Sequence, residues 1–244
     1  DLYDVFEVGP QRYCLVVADV SGKGVPASLV MSMLRTVIQI NSLQATSSRD
    51  TLIKVNEYLK INMPAGMFIT VMLGVYDASA REIDLVSAGH NPMLFYRAIT
   101  GEVRQVNPSG MPLGLPVTLD REFEESLEPV TLKIDNGDLF FIFTDGITEA
   151  MDHEGQQFGI ERLVDFLSKN ASMDGNRDVS TLARDIIAEV DEYAGFTKQN
   201  DDITFLIARA VSNDTTDIDT SEPMTDHVTL ETTNDSETME TGGT

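Results

Sequence analysis

Three aspartates stand where short apolar runs meet polar turns: Asp19 in ADVSGKG, Asp145 in FTDGITEA and Asp201 in QNDDITF. Strand ends from different parts of a sheet can converge, and carboxylates brought together repel and raise one another's pKa unless a cation neutralises them. Hard divalent cations, which take oxygen ligands, supply that neutralisation. Singly, each Asp is as well explained as a turn residue, because Asp favours turns. Three in one kind of setting, each read as following a hydrophobic strand, shift the balance toward a metal site.

Other reactive residue types offer less. Cys14 lies inside an apolar run, and the sequence has neither a Cys-x5-Arg loop nor a G-x-S-x-G elbow, so no protein nucleophile is expected. His90, in SAGHNP, is read as a turn histidine that caps backbone groups rather than as a ligand or general acid. Lys23 sits between Gly22 and Gly24 but lacks the G-x-x-x-x-G-K-[ST] pattern of a phosphate loop. A solvated lysine is the simpler reading. Gly110-Met111-Pro112-Leu113-Gly114 reads as a fixed loop, and Thr144 and Thr148 as residues that orient the Asp145-Gly146 turn by hydrogen bonds.

The elements that must carry these residues follow from periodicity. Arg12–Val20 is a buried strand, ended by Ser21-Gly22-Lys23-Gly24. Pro26 suits a first helical turn, and Leu29, Val30, Met33, Leu34, Val37 and Ile38 recur at helical spacing up to about Ile40. A second helix is expected over Arg49–Lys60. Strands are expected over Phe68–Tyr76, Glu82–Ser87, Met93–Arg97 and Glu102–Val106, as sequential antiparallel hairpins. Asp138–Phe143 and Ile203–Ala208 are further strands, the latter closing the fold. Gly159–Ser168 and Asp178–Tyr193 are helices. Strand runs with helices inserted in blocks indicate an α+β class.

The 244 residues suit one large domain or two small ones, and 42% hydrophobic content is enough for a sizeable core. Seventeen basic against 40 acidic residues give a formal charge of -23, which disfavours nucleic acid and anionic membrane surfaces. One cysteine allows no internal disulfide, which fits a reducing cytoplasm, and no apolar run reaches the roughly 20 residues of a membrane span. Residues 1–210 read as one folded unit. Residues 211–244, with no Lys or Arg and many Thr, read as an acidic disordered tail, more simply inert than regulatory.

Six motifs in order, DLYDVF, VADVSGKG, SAGHNP, MPLGL, FIFTDGITEA and NDDITFLIA, make residues 1–210 resemble the SpoIIE/RsbU branch of the PPM family, bacterial relatives of type 2C protein phosphatases. The resemblance implies an αββα sandwich, two antiparallel sheets face to face with helices outside, and a two-metal site for Mn2+ or Mg2+ at one sheet edge. Residue by residue, it implies metal ligands at Asp1, Asp19, the Val20 carbonyl, Asp145 and Asp201. Asp19 and Asp145 then act catalytically through a metal-activated water, with Asp4 and Asp202 as near misses. Ser21 stands where eukaryotic relatives carry a histidine, so the proton donor is open and a metal-bound water is preferred. Relatives also carry a segment ahead of the position of Asp1.

The function implied is a phosphoserine/phosphothreonine phosphatase whose substrate is a phosphorylated STAS-domain protein of a bacterial partner-switching pathway that regulates a sigma factor. An upstream sensory domain and dimerisation are further implied partners. Two alternatives stay open: a catalytically weak relative that acts by occupying the same partner, and a phosphatase for a small phosphorylated metabolite.

Overall fold

The computed structural model describes residues 1–115, 120–172, 178–197, 199, 201–211 and 228–234. Its two sheets each have five strands, and every named pair is antiparallel. The first sheet orders β1 (Leu2–Gly9), β2 (Arg12–Val20), β3 (Ile69–Asp77), β4 (Glu82–Ala88) and β7 (Val130–Lys133). The second orders β10 (Val228–Asn234), β9 (Thr204–Ala210), β8 (Leu139–Phe143), β5 (Met93–Arg97) and β6 (Glu102–Val106). The helices are α1 (Val25–Ser42), α2 (Ser48–Asn62), α3 (Asp120–Ser126), α4 (Asp145–Thr148), α5 (Gly159–Asn170) and α6 (Val179–Ala194).

Three apolar layers explain why the central strands read as continuous hydrophobic runs. Leu15, Val17, Met72, Leu85, Phe95, Phe140, Ile142 and Leu206 meet between the sheets. Val16, Ala18, Val71 and Leu73, pointing the other way by the two-residue period of a strand, pack with Leu34 and Ile38 of α1 and Leu52 and Leu59 of α2. Leu94, Phe141, Phe143, Phe205 and Ile207 do the same beneath Leu163 and Leu167 of α5 and Leu182 and Ile186 of α6. With both faces of each sheet covered, apolar residues fill the buried middle of β2, Cys14–Ala18, and every position of β8. The result is the αββα sandwich expected above.

Local chemistry fixes the helix ends that frame the site. Pro26 occupies the first turn of α1, where its missing N–H is no loss. Ser47 caps α2 by accepting from the Asp50 N–H, while the Asp84 carboxylate of β4 accepts from the Ser48 N–H and ties that end to the sheet. Asp4 of β1 accepts from Arg35 Nε and Gln39 Nε2, both at 2.8 Å, and clasps α1 to the sheet edge.

The structure departs from the sequence expectations in four places. β4 and β5 are not a hairpin: the chain changes sheets at Gly89-His90-Asn91-Pro92, and β2 pairs β3 across both intervening helices. β1, α3, α4 and β7 are additional elements. β9 is not the closing strand, because Val228–Asn234 pairs along its whole length. That segment, VTLETTN, is rich in β-branched residues, which favour strands over the disorder expected for the tail. The remainder of the tail, 212–227 and 235–244, lies outside the described residues. Asp201 precedes the apolar strand β9 instead of following one.

Candidate active site

Four strand ends bring the predicted acids to one edge of the sandwich. Asp19 is the penultimate residue of β2, and the register that sets Leu2 opposite Ala18 places Asp1 beside it. β8 ends at Phe143, so that Asp145 opens α4, and Asp201 and Asp202 immediately precede β9, the hydrogen-bonded neighbour of β8. A cleft of about 580 Å³ is lined by Asp1, Asp19, Val20, Lys23, Asp201 and Asp202, with Ala27, Ser28 and Met31 of α1 along one wall. A second groove of about 600 Å³ lies between α5 and α6. Its lining mixes Arg162 and Lys169 with Asp165, Asp185, Glu189 and Glu192, so its acids are interleaved with bases.

The electrostatics of the first cleft are strained in the manner expected of crowded carboxylates. Burial, then the charge of Asp145, and further Asp201, push the Asp19 carboxyl up to about 6, against the opposing pull of the N-terminal amine and the Val20 N–H. Asp145 thus acts on Asp19 although it does not line the cleft. The donors are carboxylates and the Val20 carbonyl with no thiol, a set that suits Mg or Mn better than soft metals. Among the described residues, no three His, Cys, Asp or Glu side chains already stand together as a finished metal cage. Like charges that repel one another are held near each other by backbone, and a cation is what would let them close.

The backbone that holds them is knit by short contacts. Ser21 exchanges two hydrogen bonds with Phe68: its N–H donates to the Phe68 carbonyl at 2.9 Å, and its Oγ accepts the Phe68 N–H at 2.8 Å. Ser21 therefore anchors the β2–α1 loop to β3. Thr144, 1% exposed, accepts the Thr204 N–H at 3.2 Å, and its Oγ1 lies 2.9 Å from Asp1 Oδ2, to which it donates. Thr148 Oγ1 donates to the Asp145 carbonyl at 3.2 Å. At Gly146 a Cβ would stand 2.0 Å from the Asp202 carbonyl oxygen, so only glycine lets the Asp145 turn lie against the Asp201-Asp202 segment.

Thr144→Val removes the anchor of Asp1 while keeping the shape. We expect about tenfold weaker Mn binding by calorimetry, the lower range for losing a group that orients a metal ligand, and a stability loss of about 1 kcal/mol. Unchanged Mn affinity would show that Asp1 needs no such anchor.

His90 and Asp4 are not brought into the cleft. His90 is buried, its Nδ1 3.0 Å from Thr70 Oγ1 and its N–H donating to Ser87 Oγ at 3.1 Å. Burial pushes the ring down to about 4, and the nearby Phe143 carbonyl opposes this without aligning on Nε2 as a hydrogen bond. His90 is neutral in the folded chain above that value. As pH falls from about 6.5 toward 4, the unfolded chain takes a proton that the folded chain refuses, and stability drops by up to about 3 kcal/mol. Denaturant midpoints from pH 7 to 4 are expected to fall less steeply in His90→Gln than in the parent; parallel slopes would contradict this.

The pairings Thr144–Asp1, Ser21–Phe68 and Lys23–Asp201 were not read from the sequence. Their partners lie 47 to 178 residues apart, and no local pattern marks them.

The family profile described as Stage II sporulation protein E (SpoIIE) matches residues 9–211. The phosphoserine phosphatase RsbU of Bacillus subtilis is 30% identical over 142 residues, 58% of this chain and 40% of RsbU. The chain spans 40% or less of the length of the curated relatives it matches first. Among solved structures, the SiaA-PP2C domain of Pseudomonas aeruginosa superposes with a TM-score of 0.71 at 23% identity, covering 85% of this chain and 79% of that one. The RsbU and RsbW domains of a Mycobacterium tuberculosis protein superpose with a TM-score of 0.69 at 26% identity, over 84% of this chain and 53% of that one.

Proposed function

Because the chain belongs to the SpoIIE family, we propose that it is the catalytic domain of a divalent-metal-dependent phosphatase that hydrolyses phosphoserine or phosphothreonine on a partner protein. What supports this reading is a cleft lined by Asp1, Asp19, Val20 and Asp201, with Asp145 close enough to displace the Asp19 pKa. RsbU, named a phosphoserine phosphatase, supports the reaction class.

In this proposal Asp19, Val20, Asp145, Asp201 and Asp1 hold two Mn2+ or Mg2+ ions. Such ions lower the pKa of a water at neutral pH and neutralise charge on the phosphoryl group. The chain's own part is positional. β2 carries Asp19 into the cleft, the α4 turn holds Asp145 near enough to act on it, and Thr144 fixes Asp1. Ser21 Oγ accepts the Phe68 N–H and so serves to anchor the loop, and a water bound at the site is the proposed proton donor.

The substrate we propose is a phosphorylated STAS-domain protein, met in the cytoplasm within a partner-switching pathway, and the domain works there with an upstream sensory region and a second copy. No described helix is long and apolar enough to cross a membrane. The test compares phosphate release from a phosphoserine STAS-domain protein, from a phosphoserine peptide of the same site, and from an aryl phosphate. The proposal expects kcat/KM highest on the folded protein. Equal rates on all three would reject a dedicated protein substrate, and preference for the aryl phosphate would favour a small metabolite.

A further inference from the structure

Lys23 carries the only basic side chain among the residues that line the cleft. Its Nζ lies 2.9 Å from Asp201 Oδ1, and the side chain is 71% exposed. The loop that bears it is turned by Gly22 and Gly24, both with positive φ, and is pinned at its base by the Ser21–Phe68 pair. The ammonium therefore hangs from a fixed point over the acids.

From this geometry we infer that Lys23 is a substrate-binding residue that alternates between two anions: the Asp201 carboxylate in the empty cleft and a phosphoryl oxygen in the filled one. The inference rests on the phosphatase reading. A chain with a formal charge of -23 repels a phosphoprotein at long range, so positive charge on this protein must be local to be useful. An exposed lysine–carboxylate pair is weakly held and is readily exchanged. When Asp201 turns to a divalent cation, that cation also repels the ammonium, while Asp202 still holds it at the cleft where the substrate's phosphate arrives. A lysine is cationic through the neutral range. A lysine suits the exchange because its charge is a compact point on a flexible stem.

The experiment compares the parent with Lys23→Met and Lys23→Arg. Mn binding is followed by calorimetry, inhibition by inorganic phosphate by its inhibition constant, and turnover of a phosphoserine protein by KM and kcat. In Lys23→Met, the phosphate inhibition constant and KM are expected to rise together by about tenfold, as for loss of one charge-assisted contact. The change in kcat is expected to be smaller, and Mn to bind a few-fold more tightly because a competing cation has gone. Lys23→Arg should restore most of the phosphate affinity. A Lys23→Met variant with unchanged KM and phosphate inhibition overturns the inference while leaving the phosphatase reading intact. Weaker Mn binding in that variant also overturns it, by making Lys23 a prop for Asp201. A parent protein with no Mn-dependent release overturns both.

Discussion

Asp19→Asn is expected to reduce phosphate release by more than 100-fold and, in the metal-free protein, to raise thermal stability. The two effects have one origin. Asp19 is carried on β2 into a partly buried position where Asp145 and Asp201 act on it, so its folded-state pKa sits near 6 rather than in the ordinary aspartate range. In the parent without metal, the protonated carboxyl is favoured by folding. That stability is fully present below the unfolded pKa near 4 and is lost as pH rises through about 6. An amide carries no charge at any pH, so the variant escapes the loss. Melting curves in chelator should show it ahead of the parent at pH 7.5, by less at pH 5, and level with it only below about pH 4. Turnover falls because an amide cannot supply the negative charge that a divalent cation requires, a larger defect than the about 10- to 100-fold loss when a supporting partner of a metal ligand is removed. A variant that loses activity and stability together would mean that Asp19 is a structural carboxylate, and the site would have to be sought elsewhere.

Gly146→Ala is the second large expectation, and it tests the convergence of two chain segments. The added Cβ would meet the Asp202 carbonyl oxygen at 2.0 Å and its carbon at 2.8 Å. Both sides of that contact are backbone, so neither can swing away like a side chain. Either the start of α4 or the segment entering β9 must shift, separating Asp145 from Asp201. We expect a stability loss of about 1–3 kcal/mol by chemical denaturation, as for overpacking. Mn affinity should fall with it, because the shift falls on two proposed ligands. Gly9→Ala, where the nearest atom to a new Cβ is 3.9 Å away, is the control and should change neither quantity by much. Normal Mn binding in Gly146→Ala would show that the ligands do not depend on this approach.

Long apolar runs with helical or strand period were legible in the sequence. Met93–Arg97 and Glu102–Val106 have the boundaries that alternation predicts, and α2, α5 and α6 begin or end within two residues of their expected limits. Elements that expose polar residues were not legible. β1 carries Asp4 and Glu7 at a half-exposed sheet edge, while α3 and β7 have seven and four residues, too few to establish a period. Sheet membership was also hidden. Glu82–Ala88 and Met93–Arg97 read as consecutive hairpin strands, yet periodicity says which face is apolar and nothing of which strand lies alongside. The aspartates at the site were visible because a carboxylate beside an apolar run is a local oddity. What fixes them, the Thr144 hydroxyl on Asp1 and the Lys23 ammonium on Asp201, depends on long-range register that no local motif encodes.

The most direct test of the metal-dependent phosphatase is phosphate release from a phosphoserine STAS-domain protein with and without millimolar Mn, using the full-length chain, beside Asp19→Asn and Asp145→Asn. The account predicts release that requires Mn and is lost in both variants, although each remains folded. Release that is indifferent to Mn, or variants that match the parent, would contradict it.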